Sequence, residues 1–561
     1  MYIKLVAING RFTHSCLALF HLRNELEAHC KILSTEIVQK TIRDPAYEVL
    51  LDLSRGQPDA IFISAAVWNS SFVQELLVDL HSLVPGCHLV VGGPQAEVIG
   101  RNLTAGICTV VRGAIEAVGE HFYRDLEDRA LLPHYGRSFF HLTRKKERFV
   151  SPYKKEDFET HLKNRNVYYE SSRGCPFSCS YCLSSTENGT VHKDLAQVRD
   201  ELDLILANET RVLRFVDRTF NDHPERALAI WKLVLSYDCK TLFHFEVAPD
   251  RISEEMFDFL ATVPPGRFQF EIGIQSTNEP TLAAIKRRID PEVAHKTVSR
   301  LAVLDNIHLH ADLILGLPYE TRESFLRSFD DIFAMAPHYI QMGVLKLLPD
   351  TELSNCAEEY GYRACNQPPY TVMASQWLDP ESLQNLYWFS ECVEKFCNNR
   401  YFPSLWRYIR NSEAAGSNFF MGLLEVARQG RLFEMAATQE FLCRLLMEFI
   451  QSRADRDLVQ ELIIYDWLRC GLRKLPSCLV QDGVEERGLK EALYLQLPSE
   501  IVGLYSQNGR NRFFKQGVFY KFSGPTLREL GYCDEKSTCL VFLPERENSL
   551  MRCQELVLLP F

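Results

Sequence analysis

Three cysteines near the middle of the chain have a spacing that suits metal chemistry. Cys175, Cys179 and Cys182 stand in the string SSRGCPFSCSYCLSS, with the pattern C-x3-C-x2-C. Three thiolates so close together form a soft site, and one short loop can hold three corners of an iron–sulfur cubane. One iron would then lack a protein ligand, and an open metal position is what a catalytic site keeps for a small molecule.

The same cysteines have two plainer interpretations, a structural zinc site and three buried thiols. Zinc usually takes four protein ligands in a structural site, and the nearest fourth residue is His192, at an unusual distance along the chain. The pattern therefore predicts a 4Fe–4S cluster on the three cysteines.

The elements around these cysteines must place them at the end of a strand. Apolar runs alternate with helical stretches along residues 166–375; the runs are VYYESS, RVLRFVD, TLFHFEVA, FQFEIGIQS, HLHADLILGLP and YIQMGVLKLLP. Six strand-then-helix units predict a partial (β/α)6 TIM barrel, whose chemistry lies at the carboxyl ends of the strands. The cysteines follow the first of these strands.

The first 135 residues show a similar alternation, with runs such as IKLVAI, DAIFISAAV and HLVVGGP. This rhythm predicts a Rossmann-like, doubly wound parallel sheet, whose strand-end loops gather at its carboxyl edge. The candidate binding residues in those loops are Asn9, His14, Ser64, Gly92, Gly93, Pro94, Gly113 and Glu116. Gly92 and Gly93 remove side chains from the loop after one of these strands, although GGP is equally typical of a plain turn.

The whole chain is predicted to be an α/β multidomain protein. We divide it into a Rossmann-like domain at 1–135, a polar and basic linker or strap at 136–165, a barrel core at 166–375 and a mainly helical region at 376–561. The last region ends in short β-like pieces such as GVFYKF and contains no chemical motif that suggests a role.

Composition excludes several classes of protein. The net charge of -11 and the pI near 5.9 argue against the broad basic surface of a nucleic-acid binder. The sequence has neither a long apolar run nor a signal-peptide pattern, so we expect a cytoplasmic protein with no membrane partner. Eighteen cysteines in a chain of 561 residues do not form a disulfide framework.

The central region resembles the radical S-adenosylmethionine (SAM) superfamily. That superfamily shows the same cysteine spacing with an aromatic residue before the third cysteine, here Tyr181, and the resemblance runs from about residue 166 to residue 353. It implies that the open iron chelates SAM. An electron from a donor such as flavodoxin or ferredoxin would then cleave SAM to a 5′-deoxyadenosyl radical. The SAM-contacting positions that it implies are Tyr181, Asp217, Glu246, Glu271, Gln275 and Gly316.

One part of the superfamily pattern is different here. The usual Gly-Gly-Glu run is replaced by FVDRTF at residues 215–220, which leaves the partner of the SAM amino group open. The resemblance associates this replacement with members that carry a cobalamin domain at the amino terminus.

The order of the two domains resembles cobalamin-binding radical SAM enzymes in particular. VVRGAIEAVGEHF resembles their last cobalamin-contacting loop, but the Asp-x-His-x-x-Gly signature of a cobalt-ligating histidine is absent. We therefore expect His14 to be a pocket or helix-start residue, and cobalamin to be bound with its own base displaced. The resemblance implies methyl transfer, or another radical modification, on a substrate that the motifs do not specify.

Two alternative functions stay open at this stage. A radical SAM methylthiotransferase would hold a second cluster in its front domain, for which Cys16, Cys30, Cys87 and Cys108 are available, although their flanks are typical of helix faces and strand ends. A cobalamin or redox sensor would use the first cluster as a structural element. We do not predict an auxiliary cluster from Cys356, Cys365, Cys392 and Cys397, because their spacing matches no common motif.

Overall fold

The computed structural model describes residues 1–31, 33–136, 150–186, 189–472, 474–479, 518–532, 538–543 and 555–559. Two compact units are present: unit 1 is Met1–Arg322 with Gly343–Leu383, and unit 2 is Glu323–Met342 with Gln384–Phe561. Within the described ranges, no helix has the length and apolar character needed to cross a membrane. The four-part division drawn from the sequence stays a prediction.

Unit 1 begins with a six-stranded parallel sheet in the order β2-β1-β3-β4-β5-β6. Its strands are β1 (Tyr2–Asn9), β2 (Ser34–Thr41), β3 (Ala60–Ser64), β4 (His88–Gly92), β5 (Thr109–Arg112) and β6 (His134–Gly136). The helices between and after them are α1 (Leu17–His29), α2 (Ala46–Ser54), α3 (Ser70–Leu83), α4 (Ala96–Asn102) and α5 (Glu120–Glu127). The strand order reverses between β1 and β3, and a doubly wound sheet binds ligands at that point of its carboxyl edge. The predicted Rossmann-like sheet is confirmed.

Residues 150–165, the described part of the predicted linker, pack closely within unit 1. They contain helix α6 (Lys155–Glu159). The buried guanidinium of Arg23 on α1 donates to both carboxylate oxygens of Asp157, at 2.5 and 2.9 Å. The hydroxyl of Tyr153 donates to the backbone carbonyl of Tyr168. Bidentate pairs of this kind are strong and directional, so this segment ties the Rossmann-like part to the barrel that follows.

The barrel sheet has the order β14-β13-β12-β11-β10-β7. These strands are β7 (Val167–Tyr169), β10 (Val212–Phe215), β11 (Leu242–Glu246), β12 (Phe268–Gln275), β13 (His308–Leu315) and β14 (Tyr339–Val344). Between β7 and β10 an antiparallel hairpin, β8 (Ser172–Cys175) with β9 (Gly189–His192), carries the first cysteine. The associated helices are α7 (Leu195–Leu206), α8 (Pro224–Leu235), α9 (Glu254–Leu260), α10 (Glu279–Ala284), α11 (Pro291–Leu304) and α12 (Arg322–Ala334). The predicted six-stranded α/β core is confirmed.

Alternation along the barrel strands separates an apolar face from a polar one. In β12 every second residue is buried, beginning at Phe268, and Phe268 and Phe270 pack with Trp231 of α8. Because side chains alternate along a strand, the residues between them point the opposite way. Glu271 and Gln275 therefore share the inner face of the sheet, where a polar site can form.

Nearly all of α12 and most of β14 belong to unit 2. The next elements of unit 1 along the chain are the short helix α13 (Glu352–Asn355) and the hairpin β15 (Arg363–Ala364) with β16 (Val372–Ala374). The helices that follow are α14 (Pro380–Phe396), α15 (Pro403–Ser412), α16 (Gly416–Gln429), α17 (Gln439–Phe449), α18 (Arg456–Arg469) and α19 (Gly524–Glu529). Unit 2 also has an antiparallel sheet of β17 (Val518–Phe522), β18 (Thr538–Leu543) and β19 (Glu555–Leu559). Its mainly helical character agrees with the prediction.

Candidate active site

All three cysteines of the motif line one cavity beside the inner face of the barrel strands. The cavity measures about 230 Å³. Cys175 ends β8, Cys179 is buried in the following loop, and Cys182 precedes a short 3-10 turn at Leu183–Thr186. All three are free thiols. The sulfur atoms are thus available together at one wall, as a cluster on three cysteines requires.

Polar groups close to the sulfur atoms suit a bound iron–sulfur cluster. Arg287 Nη1 lies 4.0 Å from Cys179 Sγ, and Thr219 Oγ1 lies 3.6 Å from Cys175 Sγ. Burial raises the pKa of the Cys179 thiol, and the guanidinium of Arg287 partly offsets that rise. Hydrogen bonds and charges beside the sulfurs are the usual means by which a protein tunes such a cluster. The donor set therefore fits the cluster.

The rest of this cavity carries groups of both charges. Arg218 and Arg287 supply the cations, and Glu246, Glu271 and Asp312 supply the carboxyl groups. His244 Nε2 lies 3.0 Å from Glu271 Oε2, and this hydrogen bond keeps the pKa of Glu271 below its usual value. Glu271 therefore stays ionised. A ligand that carries an ammonium group and a carboxylate would meet opposite charges here.

Two other carboxyl groups on this wall hold protons more readily than usual. Burial raises the pKa of Glu246 to about 7, although Arg218 opposes the rise. Burial and the neighbouring carboxylates Glu271 and Glu246 raise the pKa of Asp312 well above its usual value. The wall can thus present neutral carboxyl groups as hydrogen-bond donors near pH 7.

The structure brings most, but not all, of the predicted SAM-contacting residues together. Tyr181, Glu246, Glu271 and Gln275 line the cavity with the three cysteines. Asp217 and Gly316 are not among the lining residues. Asp217 is buried and accepts hydrogen bonds from the backbone N–H and hydroxyl of Ser171 and from the hydroxyl of Ser172. It thereby anchors the start of the cysteine hairpin, and its contact with SAM stays a prediction.

Several lining residues were not predicted as cofactor contacts. They are Phe177, Ser184, Ser185, Arg218, Thr219, Val247, Ala248, Gly273, Arg287 and Asp312. Asp312 had a sequence signal that could have placed it on the inner face, because it continues the alternation of His308 and His310 along β13. Arg287 had none, because it lies in the connection between α10 and α11 and reaches the cavity only through the tertiary fold.

A second cavity, of about 350 Å³, lies at the carboxyl edge of the Rossmann-like sheet. Ser64, Gly92, Gly93, Gly113 and Glu116 line it, as predicted for a binding edge. Most other walls are apolar and come from α1, β3, β4, β5 and the 3-10 turn after β5; they include Leu17, Leu19, Leu22, Phe62, Val111 and Ile115. Such a lining accommodates an organic group rather than a small ion.

Three predicted residues of this edge do not line the cavity. The side-chain amide of Asn9 contacts His14 O and Gln39 Oε1, at 3.3 and 3.4 Å. His14 Nδ1 lies 2.5 Å from the hydroxyl of Tyr168, and Pro94 lies just beyond the lining glycines. His14 is therefore held against the barrel strand β7, and its expected role as a pocket or helix-start residue stays a prediction.

Gly93 is a position that only glycine fits without strain. Its φ is +94°, and a Cβ atom there would lie 2.6 Å from the backbone oxygen of Ala65. Both the conformation and the close approach exclude a side chain. The loops after β3 and β4 are therefore in direct backbone contact at the mouth of the second cavity.

A charged cluster lines the second cavity beside the strand that leads to the cysteines. Arg173 on β8 pairs with Glu170 at 2.7 Å and with Glu116 at 3.1 Å, and all three line the second cavity. Burial alone would raise the pKa of Glu116, but Arg173 and His21 together hold it below its usual value. The strand that carries Arg173 ends at Cys175, so one short strand borders both cavities.

Glu246 makes the stability of the cofactor-free protein depend on pH. Its pKa is near 7 in the folded chain and about 4.5 when exposed, so the folded state binds the extra proton between these values. The stability that this proton contributes to the folded state is fully present below about pH 4.5 and is lost as the pH rises through 7. Between pH 5.5 and 8, the free energy of unfolding of wild type should fall by about 2 kcal/mol more than that of the Glu246→Gln variant.

Urea unfolding at both pH values would measure this difference. The Glu255→Gln variant is the matched control, because Glu255 is a largely exposed side chain. An equal decline in wild type and in Glu246→Gln would contradict a titrating buried carboxyl at this position.

Two family models match the chain. Residues 169–332 match the radical SAM superfamily, and residues 358–526 match a protein of unknown function, DUF4080. Among named relatives, the cobalamin-dependent radical SAM methyltransferase TokK of Streptomyces tokunonensis is 24% identical over 283 residues, 46% of this chain and 41% of TokK. The 2-(S-pantetheinyl)-carbapenam-3-carboxylate methyltransferase of Streptantibioticus cattleyicolor is 25% identical over 421 residues, 66% of this chain and 61% of that protein.

These two relatives are each matched over less than two thirds of their own length. Methylthiotransferases are similar over a shorter part, between 28% and 32% of this chain. The structure of the radical SAM methyltransferase TsrM from Kitasatospora setae, with tryptophan substrate and a SAM analogue, has a TM-score of 0.55 at 15% identity, over 77% of this chain and 99% of TsrM. The cysteine motif and the matched family model together identify a radical SAM domain at residues 169–332 of this chain, and the chain shares its fold with TsrM.

Proposed function

We propose that the protein is a cobalamin-dependent radical SAM enzyme, with a 4Fe–4S cluster and SAM in the barrel cavity and cobalamin at the Rossmann-like edge. One observation carries the proposal: β8 borders both cavities, since Arg173 lines the second and Cys175 lines the first. Two cofactors held there would be neighbours, as transfer of a group between them requires.

The residues of the barrel cavity have distinct roles in this proposal. Cys175, Cys179 and Cys182 hold the cluster, which when bound supplies one electron for cleavage of a carbon–sulfur bond of SAM. Glu271, ionised at neutral pH, receives the SAM ammonium group. The guanidinium groups of Arg218 and Arg287 would receive its carboxylate, and Tyr181 would contact its adenine.

The second cavity fits the displaced base of cobalamin. Its walls are mainly apolar, and Gly93 keeps its mouth free of side chains. His21 also lines it, and the buried Nε2 atom of His21 has no hydrogen-bond partner within the described part of the chain. A bound polar group would satisfy that nitrogen, because buried polar atoms are rarely left without partners. When bound, cobalamin would supply the methyl group for transfer.

The methylthiotransferase alternative finds little support in the front domain. Cys30 follows the carboxyl end of α1, and Cys87 and Cys108 immediately precede β4 and β5. All three therefore lie toward the amino ends of the strands, opposite the second cavity. Burial raises their pKa values to about 11, 12 and 11. These thiols resemble buried packing groups rather than cluster ligands.

Elemental analysis tests the proposal. The protein is purified anaerobically from cells grown with cobalamin and is then reconstituted with iron and sulfide. We expect about four irons and one cobalt per chain, the iron as in a single cubane cluster. We also expect SAM to be consumed once dithionite, or an electron donor such as flavodoxin or ferredoxin, is supplied. The need for such a donor is our reason for proposing a reducing, cytoplasmic setting.

Other outcomes separate the alternatives. Four irons without cobalt would remove methyl transfer from cobalamin and leave a radical SAM enzyme with another ligand in its front domain. Both cofactors without any SAM cleavage would favour the sensor, in which the cluster is structural.

A further inference from the structure

His192, Asp222 and His223 form a compact group outside both cavities. One ligand atom from each lies within 4.8 Å of the others. His192 Nε2 is 3.2 Å from Asp222 Oδ2. The two imidazole rings are 4.8 Å apart between centroids and meet at 75°, edge to face. Two imidazoles and a carboxylate are a ligand set that zinc and similar ions use in proteins.

The contact between His192 and Asp222 has the spacing of a hydrogen bond but not its alignment. Both ring nitrogens of His192 are buried and lack a hydrogen-bond partner among the described residues. Two ligand atoms on one tetrahedral zinc ion, with bonds of about 2.0–2.1 Å, are separated by about 3.3 Å. The observed distance therefore suits two ligands that face a common ion.

The Asp222 carboxylate has an oxygen in place for a metal. Its Oδ1 accepts the backbone N–H of His223 at 2.8 Å, which fixes the side chain. The nearby guanidinium groups of Arg226 and Arg251 donate to the backbone carbonyls of Ser171 and Asp222 rather than to this carboxylate. Oδ2 is thus directed toward His192.

We propose that His192, Asp222 and His223 bind one divalent transition-metal ion of the zinc type, with a fourth position taken by water. His192 ends β9 and is paired with Ser172, three residues before Cys175. Asp222 and His223 follow the cavity residues Arg218 and Thr219 along the chain. The ion would tie the cysteine hairpin to the segment between β10 and α8. It would thereby fix the position of Cys175 relative to Thr219. The site does not depend on the proposed reaction.

The test uses the full chain with its cluster in place, so that the motif cysteines are occupied. After removal of loosely bound metal with a chelator, the protein is dialysed anaerobically against Zn²⁺, and zinc and iron are measured per chain. We expect one zinc in wild type. The His192→Asn/His223→Asn double variant should retain less than about a tenth of it with its iron unchanged, because it loses two of three ligands. His295→Gln, an exposed histidine of α11, is the control and should keep its zinc.

X-ray absorption at the zinc edge identifies the ligands independently of folding. Nitrogen and oxygen neighbours at about 2.0–2.1 Å support the site, whereas a sulfur shell at about 2.3 Å would place the ion on thiols and overturn the proposal. Zinc should also raise the melting temperature of wild type but not of the double variant. Equal zinc content in wild type and the double variant, or no zinc in either, would likewise overturn it.

Discussion

The protein in which Cys175, Cys179 and Cys182 are all replaced by alanine is expected to purify without iron and to leave SAM intact. The three thiols line one cavity, and a cubane cannot be retained there without them. The loss should be essentially complete rather than partial. Sulfur-to-hydrogen changes remove little volume, and two of the three residues are only partly buried, so the fold should survive.

The measurement is the iron content together with the broad absorption at about 400 nm that iron–sulfur clusters give. The Cys356→Ala/Cys365→Ala variant is the control, because these cysteines do not line either cavity. It should keep its iron. An intact cluster spectrum in the triple variant would show that the cluster, and with it the proposed chemistry, resides elsewhere.

The Gly93→Ala variant should lose at least about nine tenths of its cobalt. The new Cβ would clash with the backbone oxygen of Ala65, and the φ of +94° is strained for any L-residue. The strain alone costs about 1–2 kcal/mol. Relief of the clash must separate the loops after β3 and β4, which deforms the mouth of the second cavity. The iron content should not change, because the cysteine loop lies in the other cavity.

The Gly10→Ala variant provides a matched comparison at the same sheet edge. A Cβ at Gly10 would meet nothing within 4 Å, so cobalt and stability should stay close to wild type. Cobalt per chain, measured beside the midpoint of urea unfolding, distinguishes loss of the binding site from general unfolding. If Gly93→Ala retained cobalt as Gly10→Ala does, the corrinoid would have to be placed elsewhere.

Features that depend on neighbours along the chain could be predicted from the residues alone. The spacing of Cys175, Cys179 and Cys182 is a property of one loop, and its chemistry follows from residue type and distance along the backbone. Alternating apolar strands and helices are equally local, since they follow from side-chain periodicity. Both sheets were therefore predictable, and so was the carboxyl edge at which Gly93 and Glu116 line a cavity.

The contacts between residues far apart along the chain that share a cavity wall could not be predicted, because they form only when the chain folds. Arg287 reaches Cys179 across 108 positions of sequence, and Arg173 reaches Glu116 across 57. Asp217 does not line the cavity and instead accepts hydrogen bonds from the hydroxyl groups of Ser171 and Ser172. Contacts of this kind depend on helix packing and loop paths, which are set by the summed burial of many side chains rather than by any local pattern.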